Sequence, residues 1–177
     1  MALTVSLTAC GSGDGGGKDD AATSSAAPGE DKSKDDDGGT TVPDTSQTLA
    51  TINGDEGIQL VVHTAVRDEA GFLTVTGTLK NTTSQRVTVP ISWNGDENQV
   101  RRTGRSLAGM TLVDKQEKKR YFVLRDTEGH PLTTTGISTF KAEESFTVFA
   151  QFPAPPDSTS QVDLLMPTMP AATIEIS

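Results

Sequence analysis

One cysteine, two histidines, one tryptophan and one tyrosine are all that 177 residues contain of these types. With Cys10 as the sole thiol, neither an intramolecular disulfide nor a multi-thiolate zinc site can form. His63 falls in an apolar, alternating stretch on the same face as Gln59 and Val61, and His130 follows the turn signal Glu128-Gly129. No shared metal is expected of them, and no cofactor. No stretch approaches the eighteen or so apolar residues of a membrane-spanning helix. A basic excess is missing too. The formal net charge is −9, which disfavours binding to a phosphate backbone, so nucleic acid is not an expected partner. G-x-S-x-G, H-E-x-x-H, Walker and dinucleotide fingerprints are all absent.

The acidity is uneven. Residues 11–50 hold nine acids, among them Asp35-Asp36-Asp37, against Lys18, Lys32 and Lys34. Gly, Asp, Ser, Thr, Ala and Lys dominate this stretch, no aromatic residue interrupts it, and Val42 and Leu49 stand isolated. Such a composition cannot bury enough apolar surface to offset its ordering entropy, so a disordered acidic tether is expected over 11–50. A flexible linker of that length has an r.m.s. span of about 35 Å. The aspartate run is read as solvated and not as a calcium site, because no closed loop converges oxygens on it. The remaining residues, 51–177, suffice for one domain of modest core.

At the amino terminus, Leu7-Thr8-Ala9-Cys10 is followed by Gly11-Ser12. This resembles the lipobox of bacterial lipoproteins, in which an apolar residue and two small residues precede the modified cysteine. The resemblance implies that the Cys10 thiol carries diacylglycerol, with residues 1–10 the remnant of a signal peptide. Partnership with the membrane through that anchor and an extracytoplasmic location would follow. A signal peptide has a positive amino-terminal region and about 7–15 apolar residues. None of the nine residues before Cys10 is Lys or Arg, which places the expected start of the signal upstream of Met1.

Alternation and β-branched enrichment mark residues 51–177. Ile58–Val66 and Phe72–Asn81 read as a hairpin around the polar turn Arg67-Asp68-Glu69-Ala70-Gly71. Further strands are expected at Val87–Trp93, Leu107–Asp114, Lys119–Leu124, Ser145–Phe152, Gln161–Met166 and Thr173–Ile176. Turn signals such as Asn94-Gly95, Glu128-Gly129 and Pro155-Pro156 separate them at the intervals of a β-sandwich. The fold class expected is all-β, an Ig-like sandwich behind an acidic tether and monomeric. Its core should include Leu60, Val75, Leu79, Leu112, Phe122, Leu124, Val148 and Leu164.

The run GMTLVDKQEKKRYFVLRDTEG at Gly109–Gly129, with FPAPP at Phe152–Pro156, is similar to the Ig-like extracytoplasmic domains of actinobacterial secreted proteins and lipoproteins, including the amino-terminal part of some OmpA-type proteins. Two departures limit what the resemblance implies. A cysteine pair often follows this turn in such proteins, where this chain continues Pro131-Leu132-Thr133-Thr134. The chain also reaches Ser177 without a peptidoglycan-binding OmpA-type domain, so wall binding through that domain is not implied.

Catalysis is not expected. Ser138-Thr139-Phe140-Lys141 fits S-x-x-K, Ser92-Trp93-Asn94 fits S-x-N, and Arg102-Thr103-Gly104 resembles K-T-G. The order is wrong for a penicillin-binding set, and S-x-x-K requires a helical turn to bring lysine beside serine. The candidate ligand loop is instead residues 93–105. Trp93 beside Asn94 and Asp96 could offer a stacking face and oxygen ligands, although a core tryptophan ending a strand before the Asn-Gly turn is the favoured reading. Arg101, Arg102 and Arg105 could offer cations for an anionic polymer, although a solvated loop is the commoner role of such a trio. The expected function is a non-catalytic interaction or structural domain at the cell envelope, meeting an unidentified envelope protein or wall polymer. The alternative is capture of a substrate or ion by the 93–105 loop.

Overall fold

The structure, a computed structural model, describes residues 45–177; Cys10 and residues 11–44 of the expected tether lie outside them. Ten strands run β1 Ala50–Asn53, β2 Ile58–Arg67, β3 Phe72–Asn81, β4 Val87–Thr88, β5 Thr111–Asp114, β6 Lys119–Phe122, β7 Thr139–Phe140, β8 Ser145–Pro153, β9 Gln161–Leu165 and β10 Ala172–Glu175. Two antiparallel four-stranded sheets, ordered β1-β2-β3-β8 and β10-β9-β5-β6, pack as a sandwich, and β4 pairs with β7 beside them. The fold is all-β, as the alternation predicts.

The alternation explains the packing. Along β3, Leu73, Val75 and Leu79 are buried while Thr74, Thr76 and Thr78 line the other face. Leu60 and Val62 of β2 and Val148, Ala150 and Phe152 of β8 join them in one apolar cluster with Leu112, Val162, Leu164 and Ile174 of the second sheet. Each fully buried Leu or Val contributes about 1.5–3 kcal/mol by transfer from water. The β2–β3 turn closes as its polar sequence requires. The Asp68 carboxylate accepts the Phe72 amide at 2.9 Å, and Gly71 takes φ +85°.

Gly77 interrupts the apolar alternation because β2 and β3 crowd there. A Cβ at that position would lie 2.6 Å from the Val61 carbonyl oxygen. The register shifts between Val62 and Thr64, a bulge that turns His63 outward to the face of Thr78. His63 Nδ1 lies 2.7 Å from the Gln47 carbonyl and Nε2 2.9 Å from the Thr78 hydroxyl. A carbonyl only accepts, so Nδ1 carries the proton toward Gln47. The imidazole thereby pins residues ahead of β1 to the first sheet.

Several expected boundaries shift. β4 stops at Thr88, well short of Trp93, because Pro90 has no amide to pair and Ile91–Asn94 coil into a 3-10 turn. Leu107–Met110 form a turn closed by the Met110 amide on the Leu107 carbonyl, so β5 begins at Thr111 and not at Leu107. β6 ends at Phe122, β9 at Leu165, and β10 runs one residue earlier than expected, while β8 extends to Pro153. The strand β1 and the four-residue helix α1, Asn98–Arg101, were not expected. The Leu49 amide bonds the Val62 carbonyl at 2.8 Å, so sheet pairing reaches into the last residues of the stretch read as tether.

Two residues leave the expected core. Phe122 is 55% exposed because it lies opposite Thr111 on the outer face of β6, and Tyr121, opposite Leu112, takes the inward position. Leu124 is only partly buried, since the strand has ended and Val123 turns inward in its place. Leu60, Val75, Leu79, Leu112, Val148 and Leu164 are all buried.

Candidate functional site

Three segments converge over the outer face of the second sheet. Strand register puts Thr111 opposite both Phe122 and Leu165, and side chains two residues apart on a strand share a face, so Arg120 joins Phe122. This patch floors a cleft of about 470 Å³, within the roughly 300–1,000 Å³ typical of small-molecule sites. One wall is Asn94–Glu97 with Val100 of α1 and Ala108-Gly109; the other is Met166–Met169 with Ala171.

Trp93 fixes both walls. Its ring is 1% exposed, and its indole N–H donates to the Pro167 carbonyl at 2.9 Å and reaches the Thr168 hydroxyl at 3.2 Å. Its own carbonyl accepts the Gly109 amide at 2.7 Å. The Asn94 side chain accepts the Ser106 amide at 3.0 Å, which holds the loop between them. Gly109 has no room for a side chain: a Cβ there would lie 2.7 Å from the Ser92 carbonyl and 2.9 Å from that of Trp93. Because both neighbours are backbone, Gly109→Ala should force the Trp93 wall away and cost about 2 kcal/mol. Denaturant unfolding checks the cost. A variant as stable as the parent, with unchanged Trp93 fluorescence, would contradict the packing.

Four charged side chains line the cleft: Asp96, Glu97, Arg120 and Arg125. Glu97 and Arg125 form an ion pair across the opening, and the hydrogen bond from Arg125, with its charge behind it, holds the Glu97 carboxyl below the usual carboxylate range. Among the described residues, Asp96 and Arg120 make no ion pair or side-chain hydrogen bond. They are the two uncommitted charges of the site.

The expected ligand loop therefore does not act as one unit. Trp93 is enclosed and offers no stacking face, and Asn94, also buried, is spent on Ser106. Asp96 does line the cleft. Arg101 and Arg102 are exposed outside it, and Arg105 is half-buried with its guanidinium on the Val89 carbonyl at 3.1 Å. Glu97 lay within the expected 93–105 loop, but sequence reasoning missed Arg120, Phe122, Arg125 and the Leu165–Met169 wall. The alternation of Lys119–Phe122 carried a usable signal, since it placed Arg120 and Phe122 on one face. The convergence of the Met166–Met169 turn with residue 93 carried none, because it depends on contacts 74 residues apart.

The histidines stay apart in role. His63 is occupied by Gln47 and Thr78. His130 Nδ1 sits 3.3 Å from Asp126 and 3.7 Å from Glu128, and these three exposed residues are the group among the described residues whose ligand atoms lie within 4.8 Å of one another. Asp126 also accepts the amides of Glu128 and His130, which closes the turn and, with the His130 amide contributing most, lowers its carboxyl pKa. Ser138-Thr139-Phe140-Lys141 straddles β7. Extended backbone sends residues three apart to opposite faces, so the helical juxtaposition of S-x-x-K is not formed there. No protein-family model matches the chain, and no curated protein matches it.

Proposed function

We propose that the chain is a lipid-anchored extracytoplasmic protein of the cell envelope whose sandwich binds and does not catalyse, and that it acts by capturing a small ligand in the cleft above β5, β6 and β9. The observation that carries this reading is the cleft itself, an apolar floor of Phe122, Val123 and Leu165 with the unpaired Arg120 beside them and the unpaired Asp96 in the wall. Convergent polar groups over an apolar base are what a capture site requires, whereas a contact role needs only shallow surface. A binding role is further favoured by the lining, in which the Thr168 hydroxyl already faces the Trp93 indole and the Glu97 carboxylate is tied to Arg125.

The cleft reading is tested on the full chain by recording amide shifts during titration with fragment-sized organic probes. Changes clustered at Phe122, Gly109, Leu165 and Met169 are expected; changes scattered over the surface would overturn it. The anchor rests on Leu7-Thr8-Ala9-Cys10. Two acyl chains suffice for stable attachment, each buried methylene contributing about 0.8 kcal/mol. With a secretory signal supplied upstream, mass spectrometry should find Cys10 diacylated, and Cys10→Ser should be released or left unprocessed. Membrane-derived protein with an unmodified Cys10 would sink the lipoprotein reading.

A further inference from the structure

We infer that the cleft takes a short peptide with free ends and an apolar side chain, the carboxylate held by Arg120 and the ammonium by Asp96; this rests on the capture reading above. The charges decide the class of ligand. Asp96, Glu97, Arg120 and Arg125 line the site, and Glu97 and Arg125 satisfy each other. One carboxylate and one guanidinium remain without a protein partner among the described residues. A ligand of one sign would match only one of them and leave the other beside it as a repelling like charge. A zwitterion matches both. A guanidinium presents a planar fork of donors that suits a carboxylate in bidentate geometry, and Asp96, acceptor-only when ionised, suits an ammonium group.

The rest of the lining narrows the class from zwitterions to peptides. Arg120 and Phe122 are alternate residues on one face of β6, with Leu165 two strands away on the same face. A carboxylate on Arg120 therefore lies next to apolar surface, as it does in a carboxyl-terminal residue with an aliphatic or aromatic side chain. Ala108 and Gly109 form part of the wall, and their carbonyls accept no hydrogen bond among the described residues. They are free to receive the amide N–H that a peptide has and a free amino acid lacks.

The probe is leucyl-leucine, titrated calorimetrically into the full chain beside its amino-acetylated and carboxy-amidated forms. Each blocked form should bind about tenfold weaker or worse, the loss expected when a charge-assisted hydrogen bond goes. Arg120→Ala should weaken the free dipeptide by a similar factor yet leave the amidated form unaffected, and Asp96→Asn should do the same for the acetylated form. Both side chains are exposed and unpartnered, so these variants should fold like the parent, which circular dichroism checks. Equal binding of free and blocked forms at the cleft would overturn the assignment of the two charges. Failure of all three dipeptides while fragment probes still perturb Phe122 and Leu165 would overturn the peptide and leave the capture reading standing. Failure of dipeptides and fragments alike would remove both.

Discussion

Trp93→Ala is expected to lower the unfolding free energy by about 3–5 kcal/mol, the range for truncating a large aromatic in a packed core. The side chain is 1% exposed and belongs to the single apolar cluster that both sheets share. Two further contacts add to the loss. Without the indole N–H, the Pro167 carbonyl and the Thr168 hydroxyl lose that donor. Urea unfolding followed by circular dichroism is the measurement, because Trp93 is the only tryptophan and its removal abolishes the fluorescence signal. Trp93→Phe separates the contributions. It retains a ring but no N–H, and should cost about 1–2 kcal/mol for the hydrogen bond and the smaller volume. A loss below about 1 kcal/mol for the alanine variant would mean that the two walls of the cleft are held by something other than this residue.

The same residue marks where sequence reading reached its limit. The alternation of Phe72–Asn81 predicted a strand with one buried face, and β3 has that face, because period-2 patterning is a local consequence of one side meeting the core and the other water. Residues 87–93 were harder. Their β-branched content predicted a strand to Trp93, but Pro90 ends the pairing and the chain coils, so the core tryptophan expected before the Asn-Gly turn is reached through a 3-10 turn and not at a strand end. Phe122 failed in the opposite sense. Hydrophobicity alone assigned it to the core, although the pattern Lys119-Arg120-Tyr121-Phe122 leaves open which of Tyr121 and Phe122 points inward. The answer depends on pairing with β5, where Tyr121 meets Leu112. Asp96 was legible as a polar loop residue beside Asn-Gly. Arg125 was not, since its importance comes from Glu97, 28 positions away. Strands were thus readable wherever one local rule governed them, and the site was unreadable wherever it depended on distant segments meeting.

Asp114→Ala should cost about 3 kcal/mol and, with its amide counterpart, change how the protein responds to acid. Asp114 ends β5 and is closed to solvent. One carboxylate oxygen accepts the Thr159 hydroxyl at 2.6 Å, and the other accepts the amides of Gln116 at 2.8 Å and Glu117 at 3.0 Å. Those bonds close the turn into β6 and fasten the segment ahead of β9 to it, so alanine leaves a buried hydroxyl and a turn without their acceptor. The hydrogen bond from Thr159, followed by that from the Glu117 amide, favours the ionised form; burial opposes it but loses, because the group lies close under the surface at a strand end. The folded pKa is therefore below the unfolded value of about 3.9. A depressed carboxylate pKa gives stability that is fully present above the unfolded value and is lost as pH falls through the folded one. Asp163 is lowered by Lys115 first and Thr173 second, so the parent should lose stability below about pH 4 through more than one group. Asp114→Asn keeps the shape and a carbonyl for the turn amides but cannot titrate. Plotted against pH, its stability should lie below the parent's at pH 7 and converge on it as pH falls below the unfolded carboxylate value of about 3.9. Parallel curves there would show that Asp114 is not ionised in the folded protein, and its hydrogen bonds would then have to be reassigned to the protonated acid.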